Sequence, residues 1–244
     1  MQIDALVLRM RPRSPFEAAD LGARLCQSTA AQVYACYAVV ALPVLALALA
    51  SYELAGWLPT VLVWWSKPWL DRTILFVLAR AAFGQGTTLR QLWEAQRNVW
   101  WRQLLPTWTW RRLSPWRSFT QPVYQLEGLA FWRIRPRVLQ IRRRKGGPAF
   151  LMTLAFSLAE TALAFSIASF AFWFALPERG PSLQLLFSGE ESMLAAFVIP
   201  FSYAVTVLFL EPFYVAAGFG MYMNRRAELE AWDIEQELRR AFPG

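Results

Sequence analysis

The chain has 244 residues, 56% of them apolar, with 25 Lys and Arg against 17 Asp and Glu, a net charge of +8, and no histidine. The missing histidine excludes Ser-His-Asp hydrolysis, HExxH zinc sites and intramembrane Ser-His dyads, and the sequence carries no GxxxxGK[ST] loop or GxSxG elbow. Apolar content above the roughly 45–50% of soluble domains, gathered into long blocks between Arg-rich stretches, points to an all-α polytopic membrane protein forming one membrane domain over residues 1–244.

The first stretch, MQIDALVLRMRPRSP, has neither the apolar core nor the small-residue cleavage site of a secretory signal, so the first apolar block is expected to remain as a span. Residues 14–28 open with a helix-start pattern: Ser14 as cap, Pro15 in the first turn and Glu17 completing a Ser-x-x-Glu box. Ala18, Leu21 and Leu25 recur at helical spacing, and Asp20 with Arg24 forms an i,i+4 pair. This predicts an amphipathic interfacial helix, with Gly22 weakening it. Cys26 and Cys36 stand ten positions apart on helical chain, about 15 Å, too far for a disulfide.

Four spans are predicted, at 33–50, 57–83, 148–176 and 193–223, each able to cross a core that needs about 20 helical residues. The short SYELAGW connection makes the first two a hairpin. Pro43 lies inside the first, and Phe83-Gly84-Gln85-Gly86 supplies a stop for the second. The fourth, interrupted by Pro200 and Pro212, is longer than the core requires. A further polar helix is expected at 227–241, with Leu229, Trp232 and Leu238 apolar and Glu235 four residues before Arg239.

Between spans two and three, residues 87–147 hold thirteen basic residues against two acids, Glu94 and Glu127. The positive-inside rule places this segment, and with it both termini, in the cytoplasm. Its first part, with an interfacial helix expected at 87–104, interleaves Trp100, Trp101, Trp108, Trp110 and Trp116 with Arg. Single-stranded nucleic acid uses that texture, but a segment tethered at both ends to spans fits headgroups better. Nucleic acid is therefore not expected as a partner. Arg111, Arg112 and Arg117, with the run Arg142, Arg143, Arg144 and Lys145, form the expected surface for anionic lipid headgroups or a protein partner. The second cluster also serves as a topology signal.

The spans themselves carry Lys67, Asp71, Arg72, Glu160 and Glu211. A charge at mid-membrane costs about 2.5–3.5 kcal/mol on insertion scales, so these side chains are expected to face inward and to pair. Lys67 and Asp71 are spaced to pair directly, and Lys67 or Arg72 can meet Glu160 or Glu211. Two functions fit such a cluster: a buried ion-pair lock that sets helix register, or a polar cavity for an ion, proton or headgroup. Four spans without an internal repeat favour the lock. No catalytic residue, metal site or cofactor is expected, and a lone Asp71 does not make an aspartyl protease.

RPRSPFEAADLGARL, WWSKPWLDRTILFVLARAAFG, TWRRLSPWRSF, PVYQLEGL and EPFYVAAGFGMYMNRRAELEAWDIEQELRR together resemble an uncharacterised family of bacterial multi-pass inner-membrane proteins. Such proteins tend to be encoded beside MoxR-type AAA ATPases and transglutaminase-like membrane proteins. The resemblance implies a non-enzymatic subunit or scaffold of an envelope protein system, with other membrane proteins and possible contact with a MoxR-type ATPase. A looser likeness is to membrane domains attached to glycerophosphodiester phosphodiesterases, whose hydrolase domain is missing here. A small transporter or lipid-handling protein is the alternative expectation.

Overall fold

The structure, a computed structural model, describes residues 13–101, 104–109, 111–173 and 193–230, and every regular element among them is helical. Helix α1 spans Pro15–Ser28, α2 Ala30–Ala50, α3 Leu58–Ala81, α4 Leu89–Glu94 and α5 Leu104–Trp108. Helix α6 spans Arg117–Gln125, α7 Phe131–Arg142, α8 Gly146–Trp173 and α9 Met193–Glu230. A 3-10 turn at Ser51–Glu53 follows α2, and a π-helical turn at Arg97–Trp101 lies between α4 and α5.

Among the described residues, three helices are long and apolar enough to cross a membrane: Ala30–Glu53, Gly146–Ala171 and Phe197–Glu230. Helix α3 has the length, at 24 residues, but Lys67, Asp71, Arg72 and Arg80 dilute its apolar character. Helix α9 runs unbroken for 38 residues, about 57 Å. It therefore absorbs residues 227–230, where a separate C-terminal helix was expected to begin. The rest of that expected helix, with Trp232, Glu235, Leu238 and Arg239, lies outside the described residues, as do residues 174–192, Arg102 and Trp110.

Local signals account for several helix ends. The Ser14 hydroxyl accepts from the Glu17 amide at 3.2 Å, and Asp20 meets Arg24 at 3.0 Å. Helix α3 closes in a Schellman arrangement: Gly84 takes φ 68°, its amide donates to Ala81 and the Gln85 amide donates to Arg80. Thr88 and Gln91 cap α4 reciprocally. Thr88→Ala should therefore cost about 1 kcal/mol, read as a small drop in the thermal midpoint of the detergent-solubilised protein.

The chain divides into two compact units. One comprises residues up to Tyr37, Pro68–Thr153 and the chain from Pro212 on; the other comprises Ala38–Lys67 and Leu154–Glu211. The first unit has a core of Tyr37, Leu70, Ile74, Leu78, Phe119, Phe219 and Tyr222. At its centre lies α6, whose residues Arg117 to Val123 are all buried although the sequence RSFTQPVYQ is mostly polar. Small residues let it in. A β-carbon on Gly218 of α9 would stand 2.4 Å from the Ser118 hydroxyl. On the same helix Gly220 meets Ala18 of α1, and Gly22 of α1 meets Ala216. The glycine that weakens α1 as an isolated helix is what allows it to pack on α9.

Where one interfacial helix over 87–104 was expected, the chain makes α4, the π turn and the start of α5. The break has a physical cause. The carbonyls of Asn98 and Val99 receive the Arg72 guanidinium, so this backbone serves a buried cation. Trp100, expected at the interface, is buried and donates its indole N–H to the Thr73 hydroxyl at 2.9 Å. Trp93, Trp101, Trp108 and Trp132 are exposed, as interface residues would be.

In the second unit, Tyr52 of the 3-10 turn packs edge-on against Phe197, which stacks on Phe201. Helix α8 stands apart in its exposure, presenting Leu154, Leu158, Phe165, Phe170 and Trp173 outward. Only 6% of its membrane-length window is buried, so its surface must be covered by lipid or by another protein.

Candidate functional site

The five span charges expected to pair fall into two sets. In the second unit, the Lys67 ammonium lies 2.6 Å from a Glu160 carboxylate oxygen and 2.8 Å from one of Glu211. Three helices supply these groups: α3, α8 and α9. The side chains of Lys67 and Glu211 are 7% and 2% exposed and that of Glu160 is 16% exposed, so Glu160 is the member nearest the edge. An ammonium has three donors and no acceptor, and two carboxylates can share it. The cluster holds one cation and two acids.

In the first unit, Asp71 is fully buried, and Arg117 of α6 reaches it at 3.1 Å. The Arg117 guanidinium also lies 5.3 Å from the centre of the Tyr214 ring. Arg72, one residue along, donates to the Val99 carbonyl, to the Thr107 hydroxyl at 3.1 Å and to the Asn98 carbonyl at 3.4 Å. Gln125 in turn donates to the Arg72 carbonyl at 2.8 Å. Arg72 thus reaches two backbone carbonyls and a hydroxyl, and Lys67 reaches both Glu160 and Glu211.

The residues expected on the headgroup surface divide by burial. Arg143 and Arg144 are exposed, and Arg144 takes a left-handed φ of 66°. Arg112 and Arg117 are buried. Arg111 stacks on Tyr124 at 3.7 Å, Arg142 stacks on Trp116 at 3.4 Å, and the Trp116 indole donates to the Gly146 carbonyl at 2.8 Å. Lys145 reaches Glu228 at 2.7 Å. Of the seven, only Arg143 and Arg144 extend fully into the surroundings.

Beyond the Asp71–Arg117 pair and the burial of α6, sequence reasoning missed two further features. Glu127 accepts from the Tyr222 hydroxyl and from Arg137, both at 2.8 Å, and Arg137 also reaches Glu230. This network fastens α7 to α9. The ring contact of Arg111 with Tyr124 was missed as well. Burial pushes the Tyr124 phenol up and the Arg111 guanidinium down from their usual values. The phenol therefore stays protonated near neutral pH, and the guanidinium, starting above 12, stays charged. Among the described residues, no group of three or more His, Cys, Asp or Glu is placed to hold a metal. Comparison of the chain with protein-family models, with curated proteins and with solved structures gives no match.

Proposed function

We propose that the protein is a four-span subunit or scaffold of a bacterial inner-membrane assembly, non-enzymatic, with both termini in the cytoplasm and α3 as the fourth span. The observation that carries this reading is the pairing of the α3 charges with groups on other helices. Lys67 holds Glu160 and Glu211, and Asp71 holds Arg117. A helix whose charges are met in this way can enter a bilayer without leaving them to lipid, and the same contacts lock α3, α8 and α9 in register. The exposed face of α8 supports a subunit role, because it offers a long apolar surface beside the lock. The partners would be other envelope membrane proteins, a MoxR-type ATPase system among them, and anionic lipid would meet Arg143 and Arg144.

The test is a photo-crosslinking residue in place of Leu158, 63% exposed on α8, in cells making the protein at native level. Adducts to a second membrane polypeptide are expected. Adducts to lipid alone would overturn the subunit reading. A second reading, a small ion- or lipid-handling protein, is favoured by one feature: two carboxylates from different helices converge on one ammonium.

A further inference from the structure

Helix α7, Phe131–Arg142, has two unlike faces. Ile134, Val138 and Ile141 recur at i, i+4 and i+7 and are buried. Beside them Arg137 reaches Glu127 and Glu230, and Arg142 stacks on Trp116. These contacts fix how the helix is turned about its axis. Trp132, Arg135 and Leu139 recur at i, i+3 and i+7 on the opposite side by helical phase. They are exposed, Trp132 by 84% and Leu139 by 57%. Arg133 flanks that stripe, and the exposed Arg143 and Arg144 continue it into the turn before α8.

The outer face is cationic, with no acid beside it in the chain. Residues 128–159 contain no Asp or Glu. Acids of neighbouring elements are taken by the inner cations, Glu127 and Glu230 by Arg137 and Glu228 by Lys145. Arg133, Arg135, Arg143 and Arg144 form no ion pair among the described residues. A tryptophan and a leucine set among four guanidiniums make neither a plain solvated face nor a plain apolar one. They have the make-up of a helix at headgroup depth, where apolar side chains reach the acyl boundary and Arg stems let the charge rise to phosphate. Chain continuity supplies a second argument. Three residues, Arg143 to Lys145, separate α7 from α8, which is long and apolar enough to cross a membrane. So short a link reaches about 14 Å when extended, and the C-terminal end of α7 therefore stays near the surface at which α8 enters.

We propose that α7 is an in-plane anchor whose outer face, Trp132, Arg133, Arg135, Leu139, Arg143 and Arg144, lies on anionic phospholipid where α8 enters the bilayer. The proposal rests on the reading of α8 as a span, and it extends the lipid contact from Arg143 and Arg144 to a whole helix face. Charge alone would also suit an acidic protein. The link to α8 favours lipid, because it keeps α7 beside the bilayer whether or not a partner is present.

The experiment uses the full chain carrying Cys26→Ala and Cys36→Ser, reconstituted in phosphatidylcholine vesicles with or without phosphatidylglycerol. A nitroxide is attached at Leu139→Cys or, separately, at Phe165→Cys, a position 61% exposed on α8. Collisions with oxygen, which concentrates in the bilayer, are compared with collisions with a neutral nickel chelate, which stays in water. The Phe165 probe should be oxygen-rich and chelate-poor in both vesicles. The Leu139 probe should favour oxygen less strongly, and phosphatidylglycerol should cut its chelate collisions about twofold. Arg133→Gln, Arg135→Gln, Arg143→Gln and Arg144→Gln together should remove that phosphatidylglycerol effect. High salt should weaken it with the arginines in place, which decides the matter should the fourfold variant fail to fold. A chelate-accessible Leu139 probe beside an immersed Phe165 probe would overturn the proposal. So would an immersed Leu139 probe that is indifferent to phosphatidylglycerol. Protection of the Leu139 probe from both collision partners would overturn it as well and point to a protein covering α7. Chelate access at Phe165 would remove the span and the anchor together, whereas lipid-only adducts at Leu158 overturn the subunit reading alone.

Discussion

Lys67→Met should lower the unfolding free energy of the detergent-solubilised protein by about 3–5 kcal/mol, the usual cost of removing one partner from a buried ion pair. The substitution keeps most of the aliphatic stem and removes the cation that stands within 2.8 Å of both carboxylates. Glu211, at 2% exposure, has little access to water, so its charge must be neutralised or the helices must part. Glu160→Gln should be far milder, within about 1 kcal/mol, because Lys67 keeps Glu211 and the surplus acid is the one removed. Lys67→Met combined with Glu160→Gln and Glu211→Gln should recover most of the loss, since a neutral hydrogen-bonding set replaces the ionic one. Chemical unfolding in mild detergent reads all three. Equal midpoints for Lys67→Met and Glu160→Gln would sink the lock. A Glu160→Gln protein that keeps its midpoint but loses a cation-dependent shift of that midpoint would favour the ion-handling reading.

Much of this architecture is legible in the sequence because hydropathy and helix-end chemistry are local. The apolar blocks, the Ser14 cap and the Gly84 stop are each signalled within a few residues. The pairing of Lys67 with Glu160 and Glu211 is legible for a different reason: buried charges are expensive and few, so opposite signs on spans have few places to go. The same logic fails for Asp71. Its partner Arg117 sits in a segment with thirteen basic residues, and sign alone cannot choose among them. Helix α6 was hidden because its burial depends on Ser118 fitting Gly218, a match of small shapes with no hydropathic signature. The Arg72 contacts to the Val99 and Asn98 carbonyls had no signal in the sequence, because every residue carries a backbone carbonyl. The two units divide α3 at Lys67/Pro68 and α9 at Glu211/Pro212, although the sequence marks Pro212 only as an interruption of a long span.

Gly22→Ala and Gly220→Ala should each destabilise the first unit by about 2–3 kcal/mol, against what helix propensity alone predicts. On propensity, alanine gains up to about 1 kcal/mol over glycine inside a helix. The contacts reverse the sign. A β-carbon at Gly22 would lie 2.0 Å from the Ala216 carbonyl oxygen, and one at Gly220 would lie 2.2 Å from that of Ala18. Both obstacles are backbone atoms of regular helices, which cannot rotate aside as a side chain would, so α1 must lift off α9. Gly147, in the first turn of α8, has nothing within 4 Å of its β-carbon position, and Gly147→Ala should be neutral or slightly stabilising. Cys26 supplies a local readout. It lies on the packed face of α1 at 0% exposure, and burial pushes its thiol up to about 11, so maleimide labelling of the native protein should be slow. In a Cys36→Ser background, Gly22→Ala and Gly220→Ala should label at Cys26 many times faster, while Gly147→Ala should match the parent. Faster labelling with an unchanged global midpoint would mean that α1 opens as a separate unit while the rest holds. Slow labelling with an unchanged midpoint in both variants would rule out the close backbone contact between α1 and α9.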